Sequence, residues 1–159
     1  MAKIASTELD AIDRRMLTVL QRDGRIPIVA LAERVGLSPT PCQRRLARLE
    51  EAGIITGYAA RVDAAKVGQG LQAFVQVRLE SHAEEIVAGF QRALLARPEV
   101  VACYSLSGDM DFLLHVVAGD LEAYSDFAMK ALLRMPGVKD TRSSFVLGTL
   151  KPPGAIAVE

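Results

Sequence analysis

Eight residues of this chain recur 38 positions downstream, and no other feature restricts the fold so tightly. Ala93-Leu94-Leu95-Ala96-Arg97-Pro98-Glu99-Val100 aligns with Ala131-Leu132-Leu133-Arg134-Met135-Pro136-Gly137-Val138, and five of the eight positions are identical. Each copy reads as the end of an apolar-striped helix, a proline that cannot extend it, and the start of a β-prone run. Ahead of the first copy, Leu71, Ala73, Val75, Val77 and Leu79 alternate with Gln72, Phe74, Gln76 and Arg78, a strand with one strongly apolar face. Residues 100–106, 112–118 and 138–147 supply three more strands. Ser81-His82-Ala83-Glu84 reads as a capping box for a helix that turns Ile86, Val87, Phe90, Ala93 and Leu94 inward. Asp120 caps a second helix with the stripe Tyr124, Phe127, Ala128, Ala131 and Leu132. Two β-α-β halves specify a ferredoxin-like split sheet, βαββαβ, with both helices on one face. Phe74, Tyr104, and Leu113 or Val117 then point to the bare face, which predicts that a second copy covers it.

The first third of the chain has a different period. Leu9, Ile12, Met16, Val19 and Leu20 mark a helix over residues 9–21, closed by Asp23-Gly24. Residues 28–35 form a short second helix that ends at Gly36, where a left-handed residue is needed. A third helix starts at Ser38 or Pro39, with Ser38 as the capping acceptor and Pro39 in the first turn. Cys42, Leu46 and Leu49 face inward, whereas Thr40, Gln43, Arg44 and Arg48 face out with Arg45 at the edge. A short helix, a glycine turn and an arginine-bearing helix, backed by a leading helix, make a helix-turn-helix. Ser38, Thr40, Gln43, Arg44, Arg45 and Arg48 are the candidate contacts to double-stranded DNA. Arginines suit phosphates or guanine edges, and the short polar groups set register and base choice. Residues 54–56 and 58–62 flank Gly57 and predict a small winged hairpin. The expected organisation is α+β: residues 1–62 a winged helix-turn-helix domain, 63–70 a linker, 71–150 the ferredoxin-like domain and 151–159 a tail. A dimer also suits a helix-turn-helix, which reads two-fold DNA sites.

Charge agrees with this division. The formal net charge is zero, with 19 basic and 19 acidic residues, but residues 1–61 carry +3 and residues 62–159 carry −3. No apolar run approaches the ~18 residues of a membrane span, and the N-terminus lacks a signal-peptide core, so a cytoplasmic protein is expected. Cys42 and Cys103 read as core positions. His82 and His115 join no ligand-spaced cluster, so no metal site is expected. No P-loop or G-x-S-x-G is present. Gly68-Gln69-Gly70-Leu71-Gln72-Ala73 has the letters of a dinucleotide fingerprint, but a strand-like run follows where a helix is required. Ser105, Ser107, Asp109, Asp111 and His115 make a hydrolase triad on paper only. No catalytic residue and no cofactor is therefore assigned. The competing reading in another class is a small-molecule-binding or enzymatic ferredoxin-like protein whose N-terminal helices only pack. The loop Ser107-Gly108-Asp109-Met110-Asp111 reads in two ways. It is an ordinary hairpin turn with polar tips, or its backbone N–H groups take a carboxylate while its aspartates take an ammonium, as a free amino acid would require.

Several segments together resemble the Lrp/AsnC family of transcription regulators. They are Leu9-Asp10 with Ile12-Asp13-Arg14, Asp23-Gly24-Arg25-Ile26, Leu31-Ala32, Arg34-Val35-Gly36-Leu37-Ser38-Pro39-Thr40-Pro41-Cys42, Leu49-Glu50, Gly57-Tyr58, Ser107-Gly108-Asp109 with Asp111, and Leu133 with Pro136-Gly137-Val138. They extend from about residue 9 to 150. The resemblance implies a regulator of amino-acid metabolism that dimerises through the ferredoxin-like (RAM) domain. It implies assembly to octamers and an amino-acid effector, leucine or another L-amino acid, bound between subunits. The family's effector region falls on Leu106, Ser107, Gly108, Asp109 and Asp111, and its ligand-response positions near Leu121, Phe145 and Val146. The family includes pathway regulators and global nucleoid-associated proteins, and the residues do not separate the two.

Overall fold

The computed structural model describes residues 8–158. The chain forms two compact units: residues up to Arg61 together with the segment from Lys151 onward, and Val62–Leu150.

The first unit holds α1 (Ala11–Leu20), α2 (Ile28–Val35) and α3 (Pro39–Glu51). Asp10 caps α1 by accepting the N–H groups of Ile12 and Asp13, and the Asp13 carboxylate accepts the Asp10 N–H in return. This reciprocal box starts the helix two residues later than its apolar stripe suggests. Gly36 adopts φ 75° and closes α2, with the Leu37 N–H donated to the Ala32 carbonyl. Met16, Leu31, Val35, Cys42 and Leu49 are sealed between the three helices.

Two local expectations fail here for identifiable reasons. Ser38 sits at the N-cap of α3, yet its hydroxyl accepts no capping bond. A cap bonds the second or third helical N–H. Pro41 occupies the third position and has no N–H, so one of the two donors is missing. The winged hairpin is also absent, since no strand forms over residues 54–62. The Ile54 and Ile55 N–H groups both turn back onto the Leu49 carbonyl at the end of α3. The Tyr58 hydroxyl donates to Glu50, and a Cβ on Gly24 would lie 3.1 Å from the Tyr58 ring. The segment thus packs along the helices instead of pairing with itself. The tail joins the same unit: the Gln21 side-chain amide donates to the Ile156 carbonyl at 3.1 Å and accepts the Ile156 N–H at 2.7 Å, while Val158 packs against the helical core.

The second unit contains β1 (Leu71–Leu79), α4 (Glu84–Leu95), β2 (Val100–Ser105), β3 (Phe112–Ala118), α5 (Leu121–Lys130) and β4 (Val138–Phe145). The sheet order is β2-β3-β1-β4, with each neighbouring pair antiparallel. Ala73, Val75 and Val77 meet Leu114 and Val116 beneath Phe90 and Leu94 of α4 and Tyr124 and Phe127 of α5. The capping box expected at Ser81 does not form. Ala83 is the N-cap of α4, and Ser81 Oγ accepts the Ala83 N–H ahead of the helix. Asp120 does cap α5 through the Ala123 N–H.

The repeat explains itself at Gly137, which stands where the first copy has Glu99. It has φ 72°, its carbonyl accepts the Glu80 N–H, and an added Cβ would fall 2.1 Å from the Ile86 methyl. The bare sheet face is less apolar than its sequence suggested. Phe74 and Tyr104 are exposed there as expected, but Gln72, Gln76, Arg78, His115 and Asp140 share the face. His115 stacks on Phe74 at 4.8 Å and reaches Gln72, and Arg78 pairs with Asp140 at 3.7 Å. Cys103 is exposed and not a core residue, because β2 is an edge strand.

Candidate functional site

The surface of α3 is set by how the helix is held on α1. Asp13 is fully buried and binds two arginines of α3: Arg45 Nη1 donates to one of its oxygens at 2.9 Å and Arg48 Nη2 to the other. Arg45 also bonds Asp10 at 2.6 Å. The Asp13 N–H, and next the Arg45 guanidinium, hold the Asp10 carboxyl below its usual range. Asp10, and next Asp13, push the Arg45 guanidinium up. Two of the six candidate DNA contacts are therefore joined to carboxylates. Ser38, Thr40, Gln43 and Arg44 are exposed and have no ion pair among the described residues. The free hydroxyl of Ser38, left idle by Pro41, belongs to this set. Asp10 and Asp13 read in sequence as the polar face of an amphipathic helix. Their partners lie 32 to 35 residues away, beyond the reach of any local pattern.

In the second unit the candidate effector residues fall into two groups. Around the turn, the Leu106 N–H donates to the Asp111 carbonyl and the Asp111 N–H to the Val77 carbonyl. The Asp111 carboxylate accepts the Leu79 N–H at 2.7 Å and touches His82 Nε2 at 2.6 Å. His82, and next the Leu79 N–H, hold its pKa down. Asp111 thus ties the turn to the end of β1, with His82 as a partner that sequence reading missed. Ser107, Gly108 and Asp109 stay exposed at the tip, with Gly108 at φ 120°. Asp109 has no hydrogen-bond or ion-pair partner among the described residues. The second group, Leu121, Phe145 and Val146, lines a cavity of about 490 Å³ with Gly70, Leu71, Gln72 and Gly119. Phe145 there meets the Tyr124 ring edge-on at 5.0 Å.

The two groups lie at opposite ends of the sheet. Ala118 pairs with Leu71 beside the cavity, whereas Phe112 pairs with Val77 beside the turn. Six residue steps along an extended strand separate them by roughly 20 Å. A free amino acid cannot span that distance within one protomer. The triad imagined from Ser105, Ser107, Asp109, Asp111 and His115 does not assemble, because His115 bonds Gln72 and Asp111 bonds His82. Among the described residues, no group of three His, Cys, Asp or Glu is placed to hold a metal ion, and no helix is long and apolar enough to cross a membrane.

Comparison with known proteins gives matches over both units. Residues 9–56 match the family described as winged helix-turn-helix DNA-binding, and residues 72–156 match the Lrp/AsnC ligand binding domain. The leucine-responsive regulatory protein of Escherichia coli (strain K12) is 40% identical over 152 residues, covering 96% of this chain and 93% of that protein. A transcriptional regulator of Neisseria meningitidis solved as an L-Met complex superposes with a TM-score of 0.90 at 42% identity, covering 94% of this chain and 96% of that one. An AsnC family regulator from Agrobacterium tumefaciens gives 0.84 at 38% identity, covering 90% and 93%.

Proposed function

This chain belongs to the Lrp/AsnC family of DNA-binding transcriptional regulators, and from that premise we propose that it regulates amino-acid metabolism under the control of an L-amino acid bound between subunits. It is a regulator with an effector-binding domain, not an enzyme. In our reading the exposed Ser38, Thr40, Gln43 and Arg44 meet base edges and phosphates in the major groove. Arg45 and Arg48 hold α3 in place and reach phosphates from their ion pairs. The separation of the two effector groups carries the inter-subunit proposal. The turn at Ser107, Gly108 and Asp109 supplies N–H donors and a free carboxylate, and the cavity at Leu121, Phe145 and Val146 supplies an apolar wall. Neither is a complete amino-acid site, and a second copy brings one to the other. Phe74 and Tyr104 on the bare sheet face support a homodimer, and further assembly, up to an octamer, would multiply the DNA contacts of each α3. The place of action is the cytoplasm, at the nucleoid.

A thermal-shift screen against the twenty amino acids identifies the effector, because a ligand that binds only the folded state raises the melting temperature. Mixed oligomers test the architecture. Asp109→Ala and Phe145→Ala should each abolish the effector's influence on DNA binding while leaving DNA binding itself. Mixing the two variants should restore part of the response, since some sites then receive both intact halves. No restoration in verified mixed oligomers would place the site within one protomer and refute the proposal.

A further inference from the structure

We propose that Arg22, Arg25 and Arg61 form a phosphate clamp that grips one phosphodiester group of the DNA backbone away from α3. The inference rests on the DNA-binding reading above and extends it to a site that contains no residue of the recognition helix. Its starting point is a shortage of free positive charge on α3. Affinity for DNA comes largely from neutralised phosphates, yet Arg45 and Arg48 are already joined to Asp10 and Asp13. Nine arginines lie between Glu8 and Arg61, and apart from these two none has an ion pair among the described residues. Three of the seven line one hollow of about 490 Å³, formed by the connector after α1 and the segment from Gly57 onward.

The walls of this hollow are fixed by packing. The Tyr58 ring lies against Gly24, where an added Cβ would sit 3.1 Å from the ring, and the Tyr58 hydroxyl is bonded to Glu50 at 2.9 Å. Residues 57–61 are therefore held beside the connector, so Arg61 lines the same hollow as Arg22 and Arg25. Asp23 bonds the Arg25 N–H at 3.1 Å and offsets part of the charge, which leaves a net positive site. Guanidinium forks match phosphate oxygens in shape as well as charge. A free phosphate ion offers the same chemistry, and the unit's role in binding DNA favours the backbone as its source.

The test measures DNA affinity by fluorescence anisotropy between about 50 and 200 mM salt, on a bound genomic fragment and on random duplex. Wild type, Arg44→Ala, and the triple variant Arg22→Ala/Arg25→Ala/Arg61→Ala are compared, with circular dichroism and melting to verify the fold. The triple variant should flatten the log-log salt dependence by about 0.9 per DNA-binding unit, the value for one lost phosphate contact. The loss should be equal on both DNAs, because backbone contacts carry no sequence information. Lysines at the three positions should restore most of the slope. An unchanged slope in the folded triple variant, with Arg44→Ala losing discrimination as expected, overturns the clamp and leaves the recognition helix standing. Stabilisation of wild type by inorganic phosphate that the triple variant loses, without any change in its DNA salt dependence, also overturns it, because the site then serves a free anion. If wild type shows no salt-dependent DNA binding, the parent reading fails instead.

Discussion

Removing the Asp13 carboxylate should cost the N-terminal unit about 2–3 kcal/mol, and the structure sets that figure between two limits. The carboxylate is fully buried and accepts from Arg45, Arg48 and the Asp10 N–H. Charge-assisted hydrogen bonds contribute roughly 1.5–3 kcal/mol, and stranding one partner of a buried ion pair costs about 3–5 kcal/mol. The upper range does not apply, because the arginines are not stranded. Arg45 is 27% exposed and keeps Asp10, and Arg48 is 46% exposed and can turn to water. Asp13→Ala should therefore fall in the lower part of the combined range. Asp13→Asn preserves shape and one acceptor and should cost about 1–2 kcal/mol. Hydrogen exchange at the Met16 and Leu20 amides isolates the N-terminal unit from the unfolding of the other one. A double-mutant cycle of Asp13→Ala with Arg48→Ala should give a coupling above ~0.5 kcal/mol. Asp13→Asn should also steepen the salt dependence of DNA binding, since it releases arginine charge toward phosphates. Protection in Asp13→Ala within ~0.5 kcal/mol of wild type, or zero coupling, would refute the view that this carboxylate positions α3.

Other perturbations have equally specific outcomes. In a urea titration Gly137→Ala should lower stability by about 1–3 kcal/mol, because it combines a positive φ with a collision at Ile86; Glu99→Ala at the matching repeat position should cost less than ~1 kcal/mol in the same titration. Val158→Asp should destabilise the N-terminal unit by about 1–2 kcal/mol by placing a charge against its core, and Gln21→Ala should speed exchange of the Ile156 amide that its side chain accepts. The Asp111 carboxyl titrates below its ordinary value of 3.8 in the folded protein. Its contribution to stability is therefore complete above that value and is lost as pH falls through the lower folded one. His82→Ala should raise the Asp111 pKa in a carboxyl NMR titration, so the loss begins at higher pH. An Asp111 titration unmoved by the substitution would show that the imidazole does not support the turn.

The helices and strands of both units and their order were legible in the periodicity of the chain, the hairpin over residues 54–62 excepted. Residues 28–35, 71–79 and 112–118 matched α2, β1 and β3 at both ends, because helical and alternating periods are written in neighbours only a few residues apart. The internal repeat settled the βαββαβ chain order for the same reason. The residues themselves marked Gly108-Asp109 as a turn and left its role open between an ordinary hairpin and an amino-acid site, and only resemblance to the family implied the second. Tertiary structure decided how the surface charges are spent. The sequence shows three arginines on α3, and only the packing of α1 against α3 shows that Asp10 and Asp13 engage two of them. Residues 54–62 had the composition of a hairpin, but the end of α3, Glu50 and Gly24 offered closer partners than the segment could offer itself. Leu121 and Phe145 line one cavity because β1 brings β3 and β4 to either side of it, while the antiparallel register held Asp109 at the far end. A local pattern encodes which face of an element is apolar. Which charged group meets which depends on contacts across dozens of residues, and the folded chain alone specifies those.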